Sequence, residues 1–168
     1  MKKRVLFLCT GNSARSQMAE GLVRHLWGDR WEPFSAGTEP AATVHPLAVR
    51  AMAEIGIDIS AQQPKSVQAF WGQPFDLVIT VCSDAARNCP AWLGKGQVVH
   101  VGFPDPAAAT GSEEERLAVF RQVRDGLRER LPAELERSGG LSTDSGNESN
   151  GLNGSQAAVS VQFVPDIA

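Results

Sequence analysis

The stretch VLFLCTGNSARS, residues 5–16, decides the fold because three kinds of sequence follow one another in it. Residues 5–8 form a continuous apolar run, which is typical of a central parallel strand covered on both faces. A short polar loop follows, and beyond Arg15 apolar residues recur at helical spacing. The stretch therefore predicts a strand, a tight loop and a helix, the unit from which α/β domains are built.

The loop of this unit has the composition of an oxyanion site. Between Cys9 and Arg15 lie five residues: Thr10, Gly11, Asn12, Ser13 and Ala14. Such a loop wraps with its backbone N–H groups pointing inward, and the helix start adds the positive end of its dipole. Arg15 can grip two oxygens with its planar guanidinium. The same positive field favours the thiolate form of Cys9, to which Ser16 can donate a hydrogen bond.

The same loop admits a plainer interpretation. Cys9 can be a buried thiol at a strand end, with residues 11–13 an ordinary turn that caps the helix. Because an apolar strand precedes the loop and an amphipathic helix follows it, we favour the oxyanion site. We expect residues 10–15 to bind the anion and Cys9 to attack it.

Length, charge and cysteine content narrow the class of protein. A chain of 168 residues predicts one domain with a substantial core. The net charge of -3 gives no indication of nucleic acid or of a membrane surface, and no apolar run reaches transmembrane length. Three cysteines are too few for a secreted disulfide scaffold. We expect a cytoplasmic monomer whose thiols take part in chemistry.

The remaining elements alternate along the chain. Further strands are predicted at residues 31–35, 76–81 and 97–101, and further helices at residues 45–56 and 112–131. On the first helix, Gln17, Glu20 and Arg24 are predicted to face water. We expect a single doubly wound α/β domain with a four-stranded parallel sheet in the order 2-1-3-4 and helices on both faces.

The composition changes after residue 137. Residues 138–155 are dominated by Gly, Ser and Asn, which leave almost nothing to bury. Residues 159–163 alternate apolar and polar side chains as a strand does, but a tail that happens to alternate is the simpler interpretation. We predict a domain over residues 1–137 and a flexible tail over residues 138–168, whose removal leaves activity intact.

Two further cysteines extend the predicted site. Cys82 ends the third strand as Cys9 ends the first, and these strands are neighbours about 4.8 Å apart in a doubly wound sheet. If residues 83–88 form a helix, its ends lie about 10 Å apart, whereas a disulfide needs Cα atoms within about 7 Å. A bond from Cys82 to Cys89 would therefore require this helix to loop out, which predicts a redox switch. The alternatives are two buried thiols, or a zinc site whose usual paired cysteine spacing is missing.

A carboxyl group is expected at the same edge of the sheet. Asp105 follows the fourth predicted strand between two prolines, and loops at the carboxyl ends of strands converge on one crevice. Asp105 could give a proton to an oxygen that leaves the central atom of the anion. Alone, the Asp-Pro pair is also common in ordinary turns.

Together these residues resemble the low-molecular-weight protein tyrosine phosphatase fold, and more fully the thioredoxin-coupled arsenate reductases built on it. The resemblance runs from about residue 3 to residue 137 and rests on residues 9–13, 15–21, 35–37, 56–60, 82–90 and 102–107. It implies that Cys9 attacks arsenate held by the loop and Arg15, while Asp105 protonates the departing oxygen. It further implies a Cys9–Cys82 disulfide, exchange to Cys82–Cys89, and reduction by thioredoxin, with no bound cofactor or metal.

The chain departs from this family at two places. Ala14 stands where many relatives have another cysteine, which the implied relay does not use. Some relatives hold a potassium ion near Asn12 and Ser35 with Thr and Asp side chains, but Gln63 and Lys65 occupy those places here. The resemblance therefore does not imply a bound cation, and Lys65 could supply its own charge.

Two other functions stay open at this point. A phosphatase for phosphotyrosine or a small phosphoester needs only Cys9, Arg15 and Asp105, although the chain has no tyrosine and would rely on Trp71 or Trp92 to contact an aromatic substrate. An oxyanion sensor could use the loop without turnover, but simple binding has no use for a pair of resolving cysteines.

Overall fold

The computed structural model describes residues 2–82 and 96–139, and its sheet has the predicted topology. All strand pairings are parallel and the order is β2-β1-β3-β4, which confirms the fold class. The strands are β1 Lys3–Cys9, β2 Trp31–Gly37, β3 Leu77–Thr80 and β4 Gln97–His100. β1 and β2 are longer than predicted because their pairing continues to the last residue of each strand.

Three α-helices and two short 3₁₀ helices lie in the described part of the chain. The α-helices are α1 Arg15–Trp27, α2 Pro46–Ala53 and α3 Glu113–Gly139, and the 3₁₀ helices are Val67–Phe70 and Pro106–Ala108. α2 ends before Gly56, where its end was predicted. Gly56 instead closes a turn at φ 81°, a conformation that glycine adopts without steric cost.

Both faces of the sheet are covered. Val5 and Phe7 of β1 contribute to the core formed with α1, α2 and α3. Leu6 and Leu8 pack on the opposite face, against Phe70 of the first 3₁₀ helix and its neighbours. These four side chains of β1 are fully buried, as expected where successive side chains of a central strand alternate between two covered faces.

The carboxyl ends of three strands meet at one edge of the sheet. Cys9 pairs with Gly37 of β2, and Leu8 pairs with Thr80 of β3. The β1–α1 loop, the segment after β2 and Cys82 just beyond β3 therefore converge there. This is the edge at which open parallel sheets bind their ligands.

Two residues of α1 that were predicted to face water are buried. Gln17 is 0% exposed and Glu20 is 6% exposed, whereas Arg24 is exposed as predicted. The segment after α2 covers this side of α1, and Gln17 donates to the carbonyl of Gln63 while Glu20 lies beside the ammonium of Lys65. The prediction was wrong because helical periodicity does not show what a distant loop will cover.

Several expectations concern residues outside the described part of the chain. They are the helix over residues 83–88, Cys89 and the tail beyond α3. The domain boundary at residue 137 stays a prediction, and α3 itself ends at Gly139. Among the described helices, none has the length and apolar character needed to cross a membrane.

Candidate active site

The β1–α1 loop turns its carbonyl groups away from its centre. Three of these carbonyl oxygens accept backbone hydrogen bonds of 2.9 Å from the segment that follows β2. The pairs are Glu39 N to Thr10 O, Ala41 N to Gly11 O and His45 N to Ser13 O. With the carbonyls held outward, the N–H groups between them form the concave cradle that binds anions.

The start of α1 contributes to the same cradle. Ala14 is the residue that precedes the helix, and no side chain caps the helix there. The N–H groups of the first turn are therefore available to a bound anion, which the helix dipole also attracts. Arg15, the first helical residue, is only 6% exposed.

A pocket of about 270 Å³ opens over the loop. Most residues predicted to form the site line it together, and so does one residue that was not predicted, Glu39. The lining residues are Cys9, Thr10, Gly11, Asn12, Ser13, Ala14, Arg15, Glu39 and Asp105. The structure thus brings together the predicted thiol, the loop, the guanidinium and the carboxyl group.

The sulfur of Cys9 lies in a dense set of hydrogen bonds. Ser16 Oγ is 2.8 Å from Cys9 Sγ, and the backbone N–H of Asn12 points to the same sulfur at 3.3 Å. Asn12 Nδ2 donates to Ser16 Oγ at 2.7 Å, so the hydroxyl hydrogen of Ser16 is available to a thiolate. The contacts suit the anionic form of the sulfur, because each group on it can donate.

Asn12 forms the turn of the loop, and Gly37 leaves the space that the loop needs beside β2. Asn12 has φ 51°, a left-handed conformation that Asn tolerates better than most residues. A Cβ atom on Gly37 would stand 2.4 Å from the Thr10 carbonyl oxygen and 3.0 Å from Asn12 N. The loop therefore packs directly on the backbone of β2, which requires glycine there.

Arg15 and Asp105 meet at the rim of the pocket. Arg15 Nη1 donates to the carbonyl of Phe103 at 3.2 Å, and Arg15 Nη2 lies 3.8 Å from Asp105 Oδ2. The other oxygen of Asp105 accepts from Ala107 N at 3.0 Å and caps the second 3₁₀ helix. The carboxyl group is about half exposed, so it can exchange protons with water.

Cys82 lies beside Cys9 across the sheet edge. Cys82 Sγ is 4.0 Å from the carbonyl oxygen of Leu8, which immediately precedes Cys9. Cys9 is a free thiol, whereas Cys82 is disulfide-bonded. Cys89 lies outside the described residues, so its predicted pairing with Cys82 stays a prediction.

A layer of polar groups lies beneath the loop. Asn12 Oδ1 accepts from Gln17 Nε2 at 3.0 Å and from Lys65 N at 2.8 Å. Lys65 Nζ donates to the carbonyl of Gln63 at 2.8 Å and lies 3.7 Å from Glu20 Oε1. The side chains present do not fit a potassium ion between these oxygens, because the ammonium group of Lys65 is already their cation.

Two of these residues carried no functional signal in the sequence. Glu20 had the appearance of a solvated helix residue, and Glu39 that of a loop residue.

Among residues 2–82 and 96–139, no group of three or more His, Cys, Asp or Glu side chains is arranged to hold a metal ion.

His45 borders the site at the start of α2. Its ring packs on Phe120, and its Nδ1 accepts a hydrogen bond from Leu47 N at 3.1 Å. Burial and the nearby Arg116 lower the pKa of His45, while Asp105 acts in the opposite direction. The imidazole beside the loop is therefore held towards its neutral form.

The chain is similar to known proteins over a range of residues that includes this site. Residues 4–139 match the family model described as low molecular weight phosphotyrosine protein phosphatase. The chain is 52% identical over 130 residues to an arsenate reductase of Halalkalibacterium halodurans. That match covers 77% of this chain and 93% of the relative.

Solved structures give the same grouping. One is an arsenate reductase in the oxidized state, with a TM-score of 0.68 and 33% identity over 81% of this chain and 98% of that chain. Another is a thioredoxin-dependent arsenate reductase of Corynebacterium glutamicum, with a TM-score of 0.55 and 29% identity. That match covers 82% of this chain and 63% of the other.

Proposed function

The chain belongs to the low molecular weight phosphotyrosine protein phosphatase family, and we propose that it is one of the members of this family that reduce arsenate to arsenite. The observation that carries the proposal is a free thiol, Cys9, in an anion cradle with a second cysteine, Cys82, across the strand end. The relative that is 52% identical is an arsenate reductase, which supports arsenate as the substrate.

The first step joins sulfur to arsenic. The loop N–H groups and the guanidinium of Arg15 hold arsenate, a tetrahedral oxyanion, against the thiolate of Cys9. A sulfur–arsenic bond forms and an arsenic–oxygen bond breaks, and the oxygen leaves as water after Asp105 provides a proton. The position of Asp105 at the pocket rim supports this role.

The next steps move two electrons and regenerate the nucleophile. The thiolate of Cys82 attacks the sulfur of Cys9, and the sulfur–arsenic electron pair stays on arsenic, which leaves as arsenite. Cys89 then attacks Cys82 in the Cys9–Cys82 disulfide, which frees Cys9 and forms Cys82–Cys89. A free Cys9 together with a disulfide-bonded Cys82 is what this final state requires.

The electrons come from thioredoxin in this proposal. Reduced thioredoxin exchanges its two thiols with the Cys82–Cys89 disulfide, so no bound redox cofactor is needed. The thioredoxin-dependent reductase among the structural neighbours supports this choice of partner. Such a cycle belongs in the cytoplasm, where thiols are kept reduced.

The test measures NADPH oxidation with arsenate, thioredoxin and thioredoxin reductase. We expect arsenate-dependent oxidation by the unaltered chain and its loss in Cys82→Ser and in Cys89→Ser. Cys89→Ser should still release one arsenite per chain, because Cys82 can complete the first disulfide. Oxidation that survives either substitution at the unaltered rate would reject the relay.

A phosphatase remains the second candidate, since the family model is that of a phosphatase and Cys9, Arg15 and Asp105 would suffice for it. No described residue that lines the pocket is aromatic, which disfavours phosphotyrosine over small phosphoesters. Hydrolysis of p-nitrophenyl phosphate that persists in Cys82→Ser, with no arsenate reduction by the unaltered chain, would favour the phosphatase.

A further inference from the structure

A buried carboxylate lies behind the nucleophile loop and forms an ion pair with a lysine. The side chain of Glu20 on α1 is 8% exposed, and one of its oxygens pairs with Arg24. The other oxygen, Oε1, accepts a hydrogen bond from Ser35 and lies 3.7 Å from Lys65 Nζ. A buried carboxylate is costly without such partners, so the ammonium group offsets part of the cost of burying Glu20.

The same lysine is connected to the sulfur of Cys9 through two side chains. The backbone N–H of Lys65 holds Asn12 Oδ1 at 2.8 Å, which directs the amide nitrogen of Asn12 towards Ser16. Ser16 in turn contacts Cys9 Sγ at 2.8 Å. Lys65 therefore contributes to this network of polar contacts through its backbone N–H and through its ammonium group.

The ammonium end fixes the position of the backbone end. Lys65 Nζ and Gln17 Nε2 both donate to the carbonyl of Gln63, at 2.8 and 2.9 Å. Gln17 also donates to Asn12 Oδ1. Removal of the ammonium group would leave Glu20 and the Gln63 carbonyl without a positive charge between them, and the hydrogen bonds from Gln17 Nε2 and Gly37 N would then hold the carbonyl groups of the segment from Gln63 to Lys65.

We propose that Lys65 is a positioning residue whose ammonium group acts as a built-in cation, holding Asn12 and Ser16 in the arrangement that keeps Cys9 reactive. The inference rests on the proposed role of Cys9 as nucleophile. It explains why these oxygens need no free monovalent cation. It also predicts that a small cation from solution can replace the ammonium group once that group is removed, since the Lys65 side chain is one-third exposed.

The test follows alkylation of Cys9 by iodoacetamide in the reduced full-length chain, with the Cys9 peptide quantified by mass spectrometry. We expect Lys65→Met to slow alkylation at pH 7 about tenfold, because the loss of one hydrogen bond to a charged group has an effect of about that size. Lys65→Arg should retain most of the rate. The matched control is Lys2→Met, which removes an exposed lysine and should change nothing.

Chemical rescue separates charge from general damage. Ammonium or potassium chloride should restore much of the rate in Lys65→Met, whereas tetramethylammonium chloride at equal ionic strength should not, because its ion is too large. Arg15, Asp105, Glu39 and His45 also face or border the pocket, and all variants retain them. If Lys65→Met is unfolded in a thermal melt, Lys65→Gln takes its place.

The outcomes distinguish this inference from the proposed function. A folded Lys65→Met variant with an unchanged alkylation rate overturns the positioning role, whatever the chain does with arsenate. A slowed rate that neither ammonium nor potassium restores also overturns it. A slowed rate that is rescued, in a chain that does not reduce arsenate, would support the positioning role and reject the reductase.

Discussion

Ser16 Oγ lies between the Cys9 sulfur and the side-chain amide nitrogen of Asn12, so its hydroxyl hydrogen is available to a thiolate at Cys9. Hydrogen bonds to charged groups contribute about 1.5–3 kcal/mol. We therefore expect Ser16→Ala to slow alkylation of Cys9 at pH 7 about tenfold or more. Ser60→Ala, at an exposed serine, is the control. Equal rates in both variants would show that Ser16 only packs.

Asp105 has two roles that one substitution separates. Asp105→Asn keeps an oxygen to accept from Ala107 N and so retains the cap of the second 3₁₀ helix. It removes the acid, which typically contributes about 100-fold or more to rate. We expect kcat for arsenate reduction to fall by about that factor while alkylation of Cys9 stays within about threefold. An unchanged kcat would contradict the proton-donor role.

At the scale of elements, the contact between β2 and the loop controls the shape of the anion cradle. Gly37→Ala would place a carbon 2.4 Å from the Thr10 carbonyl, and backbone on both sides leaves no room to yield. We expect loss of the protection that arsenate or phosphate gives Cys9 against alkylation. Gly72→Ala is the control: it strains a turn at φ 89° with no atom in its way. Equal protection in both variants would contradict this view of Gly37.

The contact between α2 and α3 contains an ion pair that depends on pH. A hydrogen bond from Arg121, assisted by Arg124, lowers the pKa of Glu54 to about 2. A lowered folded-state pKa means that the pair stabilises the fold above pH 4.5, the ordinary value, and is lost as pH falls towards 2.

We therefore expect Glu54→Gln to lower the Tm at pH 7 but to have progressively less effect below about pH 4.5. The measurement is a set of melting curves from pH 7 to pH 2.5. Because the groups are partly exposed, high salt should reduce the difference. Glu136→Gln on α3 is the control for loss of a surface carboxylate, and a Tm difference independent of pH would contradict the assignment.

For the whole molecule, the described core extends to the last turns of α3. Leu131 and Leu135 of its last turns are buried in the main core, and the helix ends at Gly139. A chain that stops after Gly139 should therefore keep the Tm within about 2 °C and the arsenate reductase rate within about twofold. Loss of either would show that residues 140–168 belong to the working molecule.

The sequence alone was sufficient to predict the fold and the part of the site that the β1–α1 loop forms. The apolar run before Cys9 predicted a central strand, and parallel strands in a doubly wound order place their carboxyl ends together. The thiol, the loop and Arg15 are contiguous, so local geometry alone brings them to one point. Asp105 could be placed there as well, because loops after parallel strands converge.

Only the tertiary structure decided what supports that site. Glu20 and Lys65 are far apart in the chain, and they meet only when the segment after α2 folds over α1. Glu39 joins the pocket because its backbone bonds to the loop, an interaction that depends on no side-chain type. Sequence patterns report the average environment of a residue, whereas a buried charge is set by the particular partner that the fold places beside it.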